Sequence, residues 1–464
     1  MEERDVVIIG GGPAGYAAAI RLSQLGRKAT LIEKEALGGT CLNRGCIPTM
    51  VLAKAVELLE QAKSGKDYGI TFADMAVNFE TLSARKNTVI KILVGGVKSL
   101  MQAYNIELID GTAQFESPRE IGVVCADGEQ KRVAAKKVII AAGTKAAQGM
   151  LPGDTTGGSI DTQQLLELPA PPSSILILGG GFVGLTFATI LSYLGTTVTL
   201  IEESETLLPE IDQEIVDILR KELKKNKIQV LLGARPVRLD NGPETGVEIE
   251  TPGEKISVKA ACIVRTGRLP STDGLGLAGI GIELNEKGGI LTDATMETSV
   301  KSVFAAGDIT MEHMWTPVAY AEGVAAAENI AGRRTIMDYA AIPCWSNTIP
   351  AICGAGMTEA EATAKGYSVR VGRFSLAANG MATILGRRVG MIKVVTDAKY
   401  GQILGVHMVG HNAQELVHEV LVAMKSELTP KDIGNSFHVH PSLSEGFWEV
   451  MRAIDGESIH SFSS

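Results

Sequence analysis

The first strongly apolar stretch, Val6-Val-Ile-Ile9, is continuous rather than alternating and stops at Gly10-Gly-Gly12-Pro-Ala-Gly15. Such a run, bounded by glycine, is the pattern of a strand covered on both faces, and the proline after the glycines suits the first turn of a helix. Ala29-Thr-Leu-Ile-Glu33 reads as the next strand and ends in an acid. The same order returns at Ser174-Ile-Leu-Ile-Leu-Gly179-Gly-Gly181-Phe-Val-Gly184 and Thr197-Val-Thr-Leu-Ile-Glu202. Further apolar strands are predicted before Gly143, before Gly267 and before Gly307-Asp308, with a helical run from Thr316 to Gly323. Val51 to Leu59 carries helical spacing. After about residue 342 the texture changes. Val389 to Val395 and Ile403 to Val409 read as alternating strands, and Ala413 to Lys425 reads as one helix with Leu416, Val417, Val420, Leu421 and Met424 on its apolar side.

This order predicts an α/β chain with two Rossmann-like dinucleotide-binding domains and a C-terminal α+β domain that is most simply an assembly, or dimerisation, surface. The expected bounds are 1–150 with 273–342 for the first and central part, 151–272 for the second, and 343–464 for the last, with a linker at 149–153. A chain of 464 residues with 45% hydrophobic content has material for about three cores. The net charge of -9 and the lack of a basic stripe exclude a nucleic-acid partner. No apolar run reaches the roughly 18 residues of a membrane span, and Met-Glu-Glu-Arg-Asp leads straight into the first strand, so a cytoplasmic protein without a membrane partner is expected.

Each GxGxxG unit has a physical reading. The first glycine permits the tight turn, the second lets a pyrophosphate approach the backbone, and the third lets helix pack on strand. The acid about twenty residues on, Glu33 or Glu202, takes ribose hydroxyls, and an acid there disfavours a 2′-phosphate, so the second site should prefer NAD to NADP.

Between the two units stands Gly38-Gly-Thr-Cys-Leu-Asn-Arg-Gly-Cys-Ile-Pro48. Cys46 falls near a helix N-terminus, where a thiolate is favoured, so that Cys41 and Cys46 make a candidate redox dithiol. Taken alone, the pair reads equally as two inert buried thiols. Cys125, Cys262, Cys344 and Cys353 show no zinc-ligand spacing, and no metal is expected; the last two, flanking a short stretch, could meet in space, but their apolar habit favours two separate buried thiols. Asp308, after an apolar strand, has a ribityl chain or a plain helix N-cap as its alternatives. Near the end, His440 and Glu445 are spaced to bring imidazole and carboxylate together across a turn, the acid fixing the tautomer and the ring handling the protons a dithiol must lose.

Together the two-cysteine segment, the two glycine units in order, Ala-Ala-Gly-Asp308 and His438-Val-His-Pro-Ser-Leu-Ser-Glu445 resemble the pyridine nucleotide-disulfide oxidoreductases over essentially the whole chain. The likeness is greatest to members that oxidise a protein-bound dihydrolipoyl group. It implies FAD at Gly10, Gly12, Gly15, Glu33, Thr40, Ala113, Gly143, Asp308 and Ala319, and NAD at Gly181, Gly184, Glu202, Val237 and Gly267. It also implies that Cys46 lies on the flavin, that Cys41 exchanges with substrate, and that His440, oriented by Glu445, is acid and base. A homodimer is implied, with His440 supplied across the interface, and as partner a lipoyl-bearing carrier protein of a 2-oxoacid dehydrogenase or glycine-cleavage system. An NAD(P)H-driven reductase of another disulfide or a metal, and a low-turnover redox sensor or assembly subunit, are the alternatives. The chain departs from the family pattern at Thr49-Met50, in place of Ser-Lys, at Thr186, in place of Glu, and at Ala351, where Glu is frequent. The family's Lys and Glu form an ion pair beside the flavin, and here both are replaced.

Overall fold

The structure is a computed structural model that describes residues 3–147, 158–240 and 246–461. The linker expected at 149–153 lies outside the described residues. Four long strands, β1 (Glu3–Ile9), β2 (Ala29–Glu33), β3 (Glu107–Ser117) and β5 (Gln130–Ile140), run parallel in the order β3-β2-β1-β5, and Val303–Ala305 adds a further parallel strand beside β5. Beyond the parallel part, β3 and β5 continue and pair with β4 (Glu120–Cys125) as an antiparallel meander.

The meander explains why Val6–Ile9 had to be apolar throughout. Val6 and Ile8 pack with helix α1 (Pro13–Gln24) and the helix Thr316–Ile330, whereas Val7 and Ile9 pack with Ala113, Phe115 and Ile121 of the meander. A strand buried on both faces loses the alternation of a half-exposed one.

The second glycine unit repeats the plan. Ile160–Asp161, Ser174–Leu178, Thr197–Ile201, Gln229–Leu231 and Cys262–Arg265 form a parallel sheet. Helices Phe182–Tyr193 and Gln213–Lys225 cover one face, and three antiparallel strands between Arg235 and Lys259 cover the other.

The C-terminal part is a five-stranded antiparallel sheet, ordered Cys344–Ser346, Ala351–Gly356, Ile403–Gly410, Met391–Asp397 and Val369–Ser375. Two readings of this region are corrected. Ile403–Gly410 is buried at every position, not at alternate ones, because one face joins the cluster of Val417, Val420 and Ala423 and the other packs toward Ile211 and Ile215 of the second unit. The helix expected over Ala413 to Lys425 is two pieces, Ala413–Leu416 and His418–Lys425, divided at Val417. Cys344 and Cys353 are separate buried thiols, as their apolar habit suggests. Cys344 pairs with Gly354 and Cys353 with Trp345, so the two thiols belong to clusters on opposite faces of the sheet.

Where the second unit meets this sheet, Lys393 is only 3% exposed and its ammonium reaches Asp212 (2.8 Å), Glu214 (2.9 Å) and Glu359 (2.8 Å). Asp212 also caps the helix Gln213–Lys225. Burial works against the charges of Lys393 and Asp212 alike, yet their mutual hydrogen bonds leave the ammonium pKa raised and the carboxyl pKa lowered.

Candidate active site

The two glycine units superimpose in their details. Gly10 and Gly179 have φ of 106° and 112°, values that strain any side chain. Gly12 and Gly181 cap the following helices at φ -72°, ψ -175° and φ -71°, ψ -174°, and no side chain caps either helix. A Cβ on Gly15 would stand 1.8 Å from Gly10 O, and one on Gly184 1.9 Å from Gly179 O, so helix and strand touch backbone to backbone. Over Gly181 a Cβ would meet nothing within 4 Å, and over Gly12 only Gly39 Cα at 3.8 Å. Uncapped amides at a helix start, with room in front of them, are what a pyrophosphate needs.

The two acids match as well. Glu33 accepts from the amides of Gly11 (2.6 Å) and Glu35 (2.8 Å), and Glu202 accepts from those of Gly180 (2.7 Å) and Ser204 (2.9 Å). Each carboxylate is held against its glycine turn with lone pairs left for ribose hydroxyls. The geometry therefore fits a dinucleotide at each unit.

Cys41 is buried on helix α2 (Gly39–Arg44), and Cys46 is the exposed first residue of helix α3 (Cys46–Ser64). The Cys41 thiol donates to Cys46 and this, with the Thr316 hydroxyl 3.5 Å from Cys46 Sγ, pulls the Cys46 pKa down to about 6 against the desolvation that neighbouring groups impose on the sulfur. The same hydrogen bond, with burial, pushes Cys41 far up. The pair is thus split into one thiolate and one proton-holding thiol.

Behind the thiols, Arg268 donates to Thr144 Oγ1 and to Thr144 O (both 2.7 Å) and reaches Thr40 Oγ1 at 3.3 Å. Thr144 in turn stands 3.4 Å from Asp308 Oδ2. Burial raises the Asp308 pKa, and Arg268 opposes it. Thr40, Gly143 with φ 66°, Asp308 and Ala319 accordingly lie around one locus beside Cys46. Ala113 is buried in the meander, in the cluster that also holds Ile9 and Ile309, and Gly267 has its carbonyl bonded to the Ala147 amide. Val237 falls where the strand register shifts between Pro236 and Arg238. Arg268 and Thr316 were not singled out from the sequence. Arg268 directly follows Gly267, but nothing in the local sequence points to a contact 228 residues away.

His440 Nδ1 is 2.8 Å from Glu445 Oε1, and Glu445 Oε2 accepts from the Ser442 amide at 2.8 Å. A carboxylate on Nδ1 keeps the proton there and leaves Nε2 free to accept. The His440 side chain is 80% exposed, flanked by exposed Phe437 and Val439, and among the described residues no hydrogen bond joins it to Cys41 or Cys46. His438 differs. It is buried, with Nε2 at 2.8 Å from Glu419 and Nδ1 at 3.3 Å from Ser436 O. Cys125, for its part, is buried close to Asp127 and Glu129, two exposed acids at a hairpin tip.

At the positions that depart from the family pattern, Met50 packs on the cluster containing Leu185 and Phe187. Thr186 Oγ1 lies 2.9 Å from both Phe182 O and Ser346 Oγ and accepts from the Asn347 amide at 3.2 Å. Ala351 is a buried strand residue. Both halves of the ion pair are therefore replaced by neutral groups with neighbours of their own. Thr186→Glu alone, or Met50→Lys alone, is expected to cost about 3 kcal/mol by leaving one buried charge unpaired, and the double variant to recover most of it. Denaturant midpoints in a double-mutant cycle measure this, and simple additivity would refute coupling.

The family model described as pyridine nucleotide-disulphide oxidoreductase matches residues 4–323, and that of the pyridine nucleotide-disulphide oxidoreductase dimerisation domain matches 342–451. Dihydrolipoyl dehydrogenase of Thermus scotoductus is 38% identical over 466 residues, covering 99% of each chain. Dihydrolipoyl dehydrogenase of Bacillus subtilis is 35% identical, again with 99% of each chain covered. Among solved structures, the Cu(II) complex of the HOCl-induced flavoprotein disulfide reductase RclA from Escherichia coli aligns with a TM-score of 0.86 at 26% identity, over 97% of this chain and 99% of that one.

Proposed function

The chain belongs to the pyridine nucleotide-disulphide oxidoreductase family, and from that premise we propose that it is a dihydrolipoyl dehydrogenase. Members of the family use FAD and NAD. The substrate we assign is the dihydrolipoyl group of a carrier protein, of the kind found in 2-oxoacid dehydrogenase or glycine-cleavage systems. The first glycine unit, with Glu33, would hold FAD, and the second, with Glu202, would hold NAD. When bound, FAD relays two electrons between the thiol pair and the nicotinamide.

The observation that carries this reading is the asymmetry of the thiols. Cys46 is the better leaving group, held as thiolate by Cys41, Thr316 and its helix terminus, and Cys41 is left to form the mixed disulfide with an incoming thiolate. The reaction balances as a dithiol and NAD giving a disulfide, NADH and one proton. His440 Nε2, exposed and free to accept, takes the protons that the substrate thiols release.

Because His440 meets neither cysteine of its own chain and lies among exposed apolar residues in a region matched by the dimerisation-domain model, we assign it to the thiol pair of a second copy in a homodimer. No helix of the described residues is long and apolar enough to cross a membrane, and a dithiol that must cycle fits a reducing, cytoplasmic setting. The test is steady-state reduction of NAD and of NADP with dihydrolipoamide, beside NADH oxidation by glutathione disulfide. NAD reduction should dominate. NADPH-driven disulfide reduction in its place would overturn the assignment.

A further inference from the structure

Strand Val303–Ala305 leads into Gly307, whose φ of 80° and ψ of -160° belong to glycine alone. A Cβ there would stand 3.0 Å from Ala14 Cβ of α1 and 3.4 Å from Ala319 Cβ of the helix Thr316–Ile330. One on Gly323 would fall 2.2 Å from Ala14 O. The turn that presents Asp308 is therefore wedged where two helices touch. On its inner side lies Glu322, 1% exposed, with no ion pair to it among the described residues. Its Oε2 accepts from the Gly307 amide at 2.6 Å and its Oε1 from the Tyr339 hydroxyl at 2.9 Å.

A buried carboxylate without a cation is costly, and a glutamine of the same length would have avoided that cost. We infer that Glu322 is a positioning residue: its carboxylate anchors the Gly307 amide, fixes the direction in which Asp308 meets FAD, and grips most firmly when charged.

The titratable groups facing Glu322 are Asp308 from the turn, Glu312 from the segment after it, and Tyr339 from beyond the helix C-terminus, on whose ring His313 packs at 4.7 Å; the acids repel its charge, and burial lowers the His313 pKa, which disfavours a cation there. Burial, aided by these acids, lifts its pKa to about 7. In the ionised form both oxygens accept, as the two bonds require. On protonation one oxygen must become a donor, Tyr339 must redirect its hydroxyl, and the bond from Gly307 loses its charge assistance, which roughly halves its strength. FAD should therefore be held less firmly as the pH falls through about 7.

The inference rests on FAD being the group at Asp308, and the flavin spectrum of the purified wild-type chain tests that separately. The experiment reads FAD release from the full-length holoprotein by flavin fluorescence between pH 6 and 8.5. In wild type the release rate should rise roughly 3- to 10-fold toward pH 6, consistent with the loss of about one charge-assisted bond. Glu322→Gln, which can still accept from Gly307 and donate to Tyr339, should retain FAD and lose this step. Titration of Asp308 and the thiols is common to both proteins and cancels. Glu322→Ala should release FAD more than tenfold faster at every pH; if it fails to fold, the comparison of wild type with Glu322→Gln decides alone. A step of equal size in Glu322→Gln, or alanine holding FAD as tightly as wild type, would overturn the inference.

Discussion

Cys46→Ser is expected to reduce dihydrolipoamide-dependent NADH formation to background, a loss on the order of 10⁴ or more, because no second sulfur then remains to close the disulfide. The same variant should lose the long-wavelength absorbance that a thiolate gives beside oxidised flavin in partly reduced enzyme. Cys41→Ser should be as inactive yet keep that band. The sign of its pH dependence follows from the thiol pair: the Cys46 pKa is lowered to about 6, so the band should appear as pH rises through 6, with about ten thiolates for each thiol one unit above. The largest cause of that lowering is the hydrogen bond from Cys41, and Cys41→Ala should move the midpoint upward. A band that survives Cys46→Ser would show that the roles of the two sulfurs are exchanged.

His440→Gln should leave FAD bound and slow dithiol oxidation by roughly 10² to 10⁴, the range for losing a general acid-base group. His438→Gln is the control. Its ring is buried and both its nitrogens face oxygens of its own chain, so its loss should lower stability more than turnover. Glu445→Gln should fall between the two, since Gln can still accept from Nδ1 but no longer stabilises the imidazolium. The Glu445 pKa is lowered, the His440 and Ser442 hydrogen bonds outweighing burial, so the carboxylate is ionised wherever His440 must act. Equal losses in the two histidine variants, measured as kcat with saturating NAD, would remove His440 from the role.

What was legible in the sequence was whatever is written locally. A strand ending in three spaced glycines, with a helix and an acid after it, states its geometry within one short segment, and both copies fold into nearly identical turns. Cys46 at a helix start was legible for the same reason. The contacts that finish the site were not. Thr316 reaches Cys46 across 270 residues, and Arg268 reaches Thr40 across 228; no period or spacing encodes either. Glu322 is hidden because it sits in an alanine-rich helix, where a single acid reads as a surface residue. The alternation expected in Ile403 to Val409 failed for a tertiary reason, since a whole domain covers the face that would otherwise meet water.

The ionic knot around Lys393 has a bearing on protein engineering. The second nucleotide unit contributes Asp212 and Glu214, and the C-terminal part contributes Lys393 and, further out, Arg373 from its sheet and Glu359 from the start of a short helix. Removing one partner from a buried pair of this kind costs about 3 to 5 kcal/mol, a sizeable share of a domain's whole stability. A chimera that grafts another protein's nucleotide-binding unit onto this chain, for instance to exchange NAD for NADP, must therefore carry the matching sheet residues with it. The graft boundary belongs around the knot, because a cut that follows the glycine motif alone would leave the buried Lys393 ammonium with Glu359 as its one remaining partner of the three.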